Sequence, residues 1–163
     1  MKLHLLATLA AFALIASPAT RAEEASEPAL TDEQQEIEDF ILDEGDYLLE
    51  PEGFIFESLT FARADGGARV SEQRTLTAGV TYAFLAKCEL EKCVGISLAL
   101  SDEMGHLYTE TNMEGEDAYF GFQPTATGTF TLDIDIFNCS ENPCEVGLAL
   151  YQAAEFSVPA EEP

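Results

Sequence analysis

Hydrophobic positions along the chain follow two periods. Between Asp32 and Leu49 they recur at helical spacing, with Ile37, Phe40, Ile41 and Leu48 roughly on one face. Thr31-Asp-Glu-Gln34 stands ahead of them as a capping box, a hydroxyl N-cap with Glu or Gln three residues on. Acidic residues crowd the first turn, where the helix dipole favours them. The pattern predicts a helix from Asp32 to Glu44, continuing as far as Leu49 if Gly45 only kinks it. Its apolar stripe must be covered, so the helix is expected to lie on the domain that follows.

From Gly53 onward the period becomes two. Phe54–Ala62, Ala68–Thr77 and Val80–Cys88 read as strands, separated by Asp65-Gly-Gly67 and Ala78-Gly79 turn signals. Val94, Ile96, Leu98 and Leu100 alternate with Gly95, Ser97, Ala99 and Ser101. His106–Thr111 and Ala118–Phe122 are shorter. Phe130, Leu132, Ile134 and Ile136 alternate with Thr131, Asp133 and Asp135, and Cys144–Tyr151 closes the series. About eight strands at this spacing predict an all-β, antiparallel β-sandwich, because each apolar sheet face needs a second sheet.

The ends differ in character. Met1-Lys2, an apolar run from Leu5 to Ala16 and a small-residue exit to Ala22 read as a signal peptide. The run is too short for a membrane span of ~20 residues. Residues 1–22 are thus assigned to the signal, 23–30 to a disordered lead-in, 31–50 to the helix, 53–152 to the sandwich and 153–163 to an acidic tail. The expected product is exported, periplasmic or secreted, soluble and monomeric, with no membrane insertion after cleavage.

Charge narrows the partners. After residue 22, five basic residues (Arg63, Arg69, Arg74, Lys87 and Lys92) face 31 acidic ones, a net charge of −26. Nucleic acid is excluded as a partner on this count, since binding it means neutralising phosphates. An unknown envelope protein or glycan remains.

Four cysteines, Cys88, Cys93, Cys139 and Cys144, form two Cys-x4-Cys segments, each flanked by strands. An even count in an exported chain predicts disulfides. Read as hairpin ends, Cys88–Cys93 and Cys139–Cys144 fall within bridging distance, and this local pairing is favoured. The alternative joins Cys88 to Cys139 and Cys93 to Cys144. Cys139 is out of phase with Phe130 to Ile136, which requires either a bulge near Phe137-Asn138 or bridges on different faces.

Three blocks carry a family resemblance: Leu76-Thr-Ala-Gly79-Val-Thr-Tyr82, Ile96–Leu100 followed by Asp102-Glu-Met-Gly105, and Pro124-Thr-Ala-Thr-Gly128-Thr-Phe130. Their order and spacing resemble the bacterial pre-peptidase C-terminal (PPC) domain family, in an exported stand-alone form with paired cysteines. Phe130 stands where the family commonly has Tyr. The resemblance implies a jelly-roll-like sandwich over roughly residues 53–152 and a binding or accessory role beside secreted enzymes.

Catalytic signals are weak. His106 is the sole histidine after the signal segment, and it heads a short strand as a surface residue. No nucleophile elbow, zinc-protease or phosphate-loop motif is present. The expected function is an exported, non-catalytic binding or accessory module of the cell envelope, with no cofactor. The alternatives are a calcium-stabilised structural domain and, more remotely, a small hydrolase. Calcium would draw oxygen ligands from Asp133 and Asp135 on one strand face, and from Glu114, Glu116 and Asp117 in an acidic loop.

Overall fold

The computed structural model describes residues 29–111 and 115–154. The residues expected to form the signal peptide, most of those assigned to the lead-in and the acidic tail, and Glu114 lie outside the described residues. Helix α1 spans Asp32–Leu48, and a 3-10 turn covers Glu50–Glu52. Eight strands follow: β1 Phe54–Ala64, β2 Arg69–Leu76, β3 Tyr82–Cys88, β4 Cys93–Asp102, β5 Leu107–Glu110, β6 Asp117–Phe122, β7 Gly128–Cys139 and β8 Cys144–Ala153.

The strands pair antiparallel as a nested set: β1 with β8, β2 with β7, β3 with β6 and β4 with β5. Two further pairings, β3 with β8 and β4 with β7, join them into sheets ordered β1-β8-β3-β6 and β2-β7-β4-β5. This is a jelly roll, a double-sheet sandwich built of antiparallel strands. Alternating residues from both sheets fill the space between them, among them Phe84, Leu98, Leu132, Ile136, Val146 and Leu148.

A second core lies on the outer side of the first sheet. Ile37 and Ile41 of α1 pack against Ala83, Leu85, Ala149 and Tyr151 of β3 and β8. β3 is therefore buried at every position, and β8 nearly so. A strand covered on both faces loses the alternation of a half-exposed one. This explains why Tyr82–Ala86 and Val146–Tyr151 are apolar at successive positions and not only at alternate ones.

Gly45 does not end the helix. It sits inside α1 where Tyr151 comes closest, and a Cβ there would overlap the Tyr151 ring and hydroxyl. That hydroxyl donates to the Ile41 carbonyl at 3.0 Å. On the sheet side, a Cβ at Gly147 would lie 2.5 Å from Ile37 Cγ2. Two glycines, one on each surface, let helix and strand approach.

The Cys-x4-Cys segments are not hairpins. β3 and β4 belong to different sheets, as do β7 and β8. Each segment is an arch that carries the chain across the sandwich. The local pairing stands, with Cys88 bonded to Cys93 and Cys139 to Cys144, at Cα separations of 5.9 and 6.0 Å. Each bridge thus ties one sheet to the other. The phase problem at Cys139 resolves as a bulge: the β4·β7 register runs Ile96–Ile136, then Gly95–Asn138, then Cys93–Cys139. Phe137 and Asn138 both turn outward, and Cys139 returns to the interior.

Candidate functional site: an aromatic cleft opposite the disulfides

The two bridges lie side by side. The sulfurs of Cys88, Cys93 and Cys144 fall within 4.8 Å of one another, all buried. Around this end the charges are paired inward. Lys87 is 3% exposed and reaches Glu116 at 3.1 Å while lying 4.2 Å over the Phe40 ring. Glu145 accepts from Arg63 at 3.1 Å and from Gln34 at 2.7 Å, and Glu89 pairs with Lys92. These elements clamp helix, arch and sheet together.

β4 runs ten residues from Cys93 to Asp102, about 30 Å at the usual rise of a strand. The opposite end of the sandwich is built by the three blocks singled out in the sequence. Gly79 N–H donates to the Pro124 carbonyl at 2.8 Å, and Ala78 N–H to Thr127 Oγ1 at 2.9 Å. Tyr82 Oη accepts from Thr77 N–H at 3.1 Å. The turn from Asp102 to His106 completes the cluster.

That turn is organised by one carboxylate. Asp102 Oδ1 accepts from the backbone N–H groups of Met104 and His106, each at 2.9 Å, and Oδ2 accepts from the Tyr108 hydroxyl at 3.3 Å. Gly105 supplies the left-handed conformation, φ +78°, that closes the turn. These donors, the His106 N–H foremost, hold the Asp102 carboxyl below its usual value. Partial desolvation, with the neighbouring carboxylate, pushes the Tyr108 phenol up.

Beside the turn opens a cleft of about 350 Å³, lined by the rings of Tyr108, Phe122 and Phe130, by Asp102 and Glu103, and by the segment 125–129. The three rings meet edge to face, with centroids 5.3 to 5.7 Å apart. His106 packs edge-on against Tyr108 at 4.9 Å. Tyr108 is 46% exposed and presents much of its surface to solvent. Its volume lies at the low end of the range of ligand pockets, and its lining mixes aromatic and acidic side chains.

Of the expected calcium ligands, the structure describes Asp133 and Asp135 on β7 and Glu116 and Asp117 where β6 begins. Asp133 and Asp135 share the outer face of β7, where Arg69 holds both: Nε and Nη2 reach Asp135 at 2.7 Å, and Nη1 reaches Asp133 at 3.2 Å. Ser71 also donates to Asp133. The Asp135 hydrogen bond holds the Arg69 guanidinium more firmly protonated than usual. Glu116 faces Lys87, and Asp117 stands opposite Lys87 in the β3·β6 register. Among the described residues, no three carboxylates converge.

The sequence reading placed His106 at the surface, where it is, but missed Tyr108 and Phe122. Each sits on a short strand whose partner choice was hidden. The readable signal was the run of aromatics beside two turn motifs. Comparison with family models and with curated proteins finds no match to the chain.

Proposed function

We propose that this protein is an exported, non-catalytic binding module of the cell envelope, in the manner of the pre-peptidase C-terminal domains it resembles, and that it binds through the aromatic cleft. The observation that carries this reading is the cleft itself. Loops and turns open it at one end of a rigid jelly roll, while the disulfides and ion pairs secure the other. Two disulfides indicate an oxidising compartment, and no described helix is long and apolar enough to cross a membrane. His106 packs edge-on against the Tyr108 ring, and the Asp102 carboxylate of its turn accepts two backbone N–H groups. That lining suits recognition better than acyl transfer, which needs a nucleophile, a base and an orienting group in reach.

The test is retention of an envelope component on the immobilised mature chain. The wild-type protein should hold a specific partner through a moderate salt wash, and Tyr108→Ala should release it. Equal retention by both proteins, or only salt-sensitive background, would count against the reading.

A further inference from the structure

We infer that the cleft receives an organic cation, the side chain of an arginine or lysine in a basic segment of the partner. This inference rests on the binding-module reading. Aromatic rings attract cations placed within about 6 Å of the ring centroid, most strongly where water is partly excluded. The protein already makes such a contact internally, with Lys87 over Phe40. Among the described residues, no Lys or Arg lines the cleft to make the same pairing there. Each of the five basic residues after the signal segment is engaged elsewhere, Arg63 with Glu145, Arg69 with Asp133 and Asp135, Arg74 with Glu72, Lys87 with Glu116 and Lys92 with Glu89.

The rim supplies complementary charge. Asp102 borders the rings, and Glu103 stands exposed next to it. Threonines 125, 127 and 129 line the same cleft and offer hydroxyl acceptors for guanidinium or ammonium protons. An anionic ligand would meet two carboxylates and, among the described residues, no Lys or Arg to offset them. Beyond the rim, a net charge of −26 draws basic partners toward the surface and repels acidic ones.

The experiment is calorimetric titration of the disulfide-intact mature protein in low-salt buffer. Three probes are used: a capped hexapeptide of alternating arginine and glycine, its citrulline counterpart, and cellohexaose. Citrulline keeps the shape of arginine and removes the charge. The arginine peptide should bind saturably, and the citrulline peptide at least about 10-fold more weakly. Glu103→Gln should weaken arginine binding by several-fold. Asp39→Asn, which removes the same charge from the exposed side of α1, should leave it unchanged. Tyr108→Ala should also weaken it; Glu103, being exposed, provides the variant that does not disturb packing. Equal weakening by Asp39→Asn and Glu103→Gln, equal affinity for citrulline, or no arginine binding would overturn the inference. Saturable cellohexaose binding that Tyr108→Ala removes would overturn the cation assignment and leave the binding-module reading standing. Failure of every probe, together with no retained envelope partner, would sink both.

Discussion

Gly45 and Gly147 set how closely α1 rests on the sheet. Each faces a large side chain, Tyr151 and Ile37, with no room for a methyl group. Gly45→Ala and Gly147→Ala should each destabilise the protein by about 1–3 kcal/mol, the usual cost of overpacking. Chemical denaturation would measure it, and an unchanged midpoint in both variants would show that the helix does not pack as described. Helix propensity alone argues the other way at Gly45, because alanine is the better helix former. The sign of that one substitution therefore separates packing from propensity. Asp102 makes a second residue-scale prediction. Its folded carboxyl is held below the usual value, so its contribution to stability is complete above the ordinary carboxylate range of about 4. It is lost as pH falls through the lowered folded value. Asp102→Asn should lower Tm at neutral pH and lose less of it on acidification than the wild type. Parallel Tm profiles for the two proteins below pH ~5 would contradict this.

At the scale of elements, helix and strands were legible, and their connections were not. The capping box at Thr31 forms as its sequence implies, with Gln34 N–H donating to Thr31 Oγ1 and Thr31 N–H to Gln34 Oε1. The strands lie close to where period two put them, since a half-buried sheet face enforces alternation. The Cys-x4-Cys segments misled because four residues suit a hairpin and an arch equally well. Which one forms depends on β8 inserting between β1 and β3, and β7 between β2 and β4, pairings between segments that are not neighbours in sequence. Local sequence holds no trace of them. The arches give the bridges a different task, since they now hold sheet to sheet. Each closes a loop so short that chain entropy contributes only about 2 kcal/mol. The paired variant Cys88→Ser, Cys93→Ser should lose about that much stability and keep the fold, as should Cys139→Ser, Cys144→Ser. Peptide mapping of the unreduced protein should recover Cys88 with Cys93 and Cys139 with Cys144; a peptide linking Cys88 to Cys139 would contradict the arch geometry.

Over the whole molecule, charge and shape divide the surface into two ends. One carries the disulfides and buried ion pairs, and the other carries the cleft. The acidic excess was plain in the sequence, but its consequence required the ion-pair geometry. Only the structure shows that all five basic side chains are committed, one of them, Arg69, to both Asp133 and Asp135. The cleft was partly legible, since its turns are the blocks that carry the family resemblance. Its aromatic floor was not, because Tyr108, Phe122 and Phe130 come from three strands divided between the two sheets. With 31 acids against so few bases, self-repulsion opposes compactness and salt screens it. Tm should therefore rise as sodium chloride increases from low ionic strength, and a flat or falling profile would mean that the repulsion is negligible.

The central claim is that the cleft end meets a partner. Site-specific photocrosslinking in the native cell tests it most directly, with p-benzoylphenylalanine placed at Thr127 beside the cleft or at Gln73, an exposed position on β2. A discrete crosslinked product from position 127 that is absent from position 73 is the predicted result. Products of equal yield from both positions, or none from position 127, would contradict it.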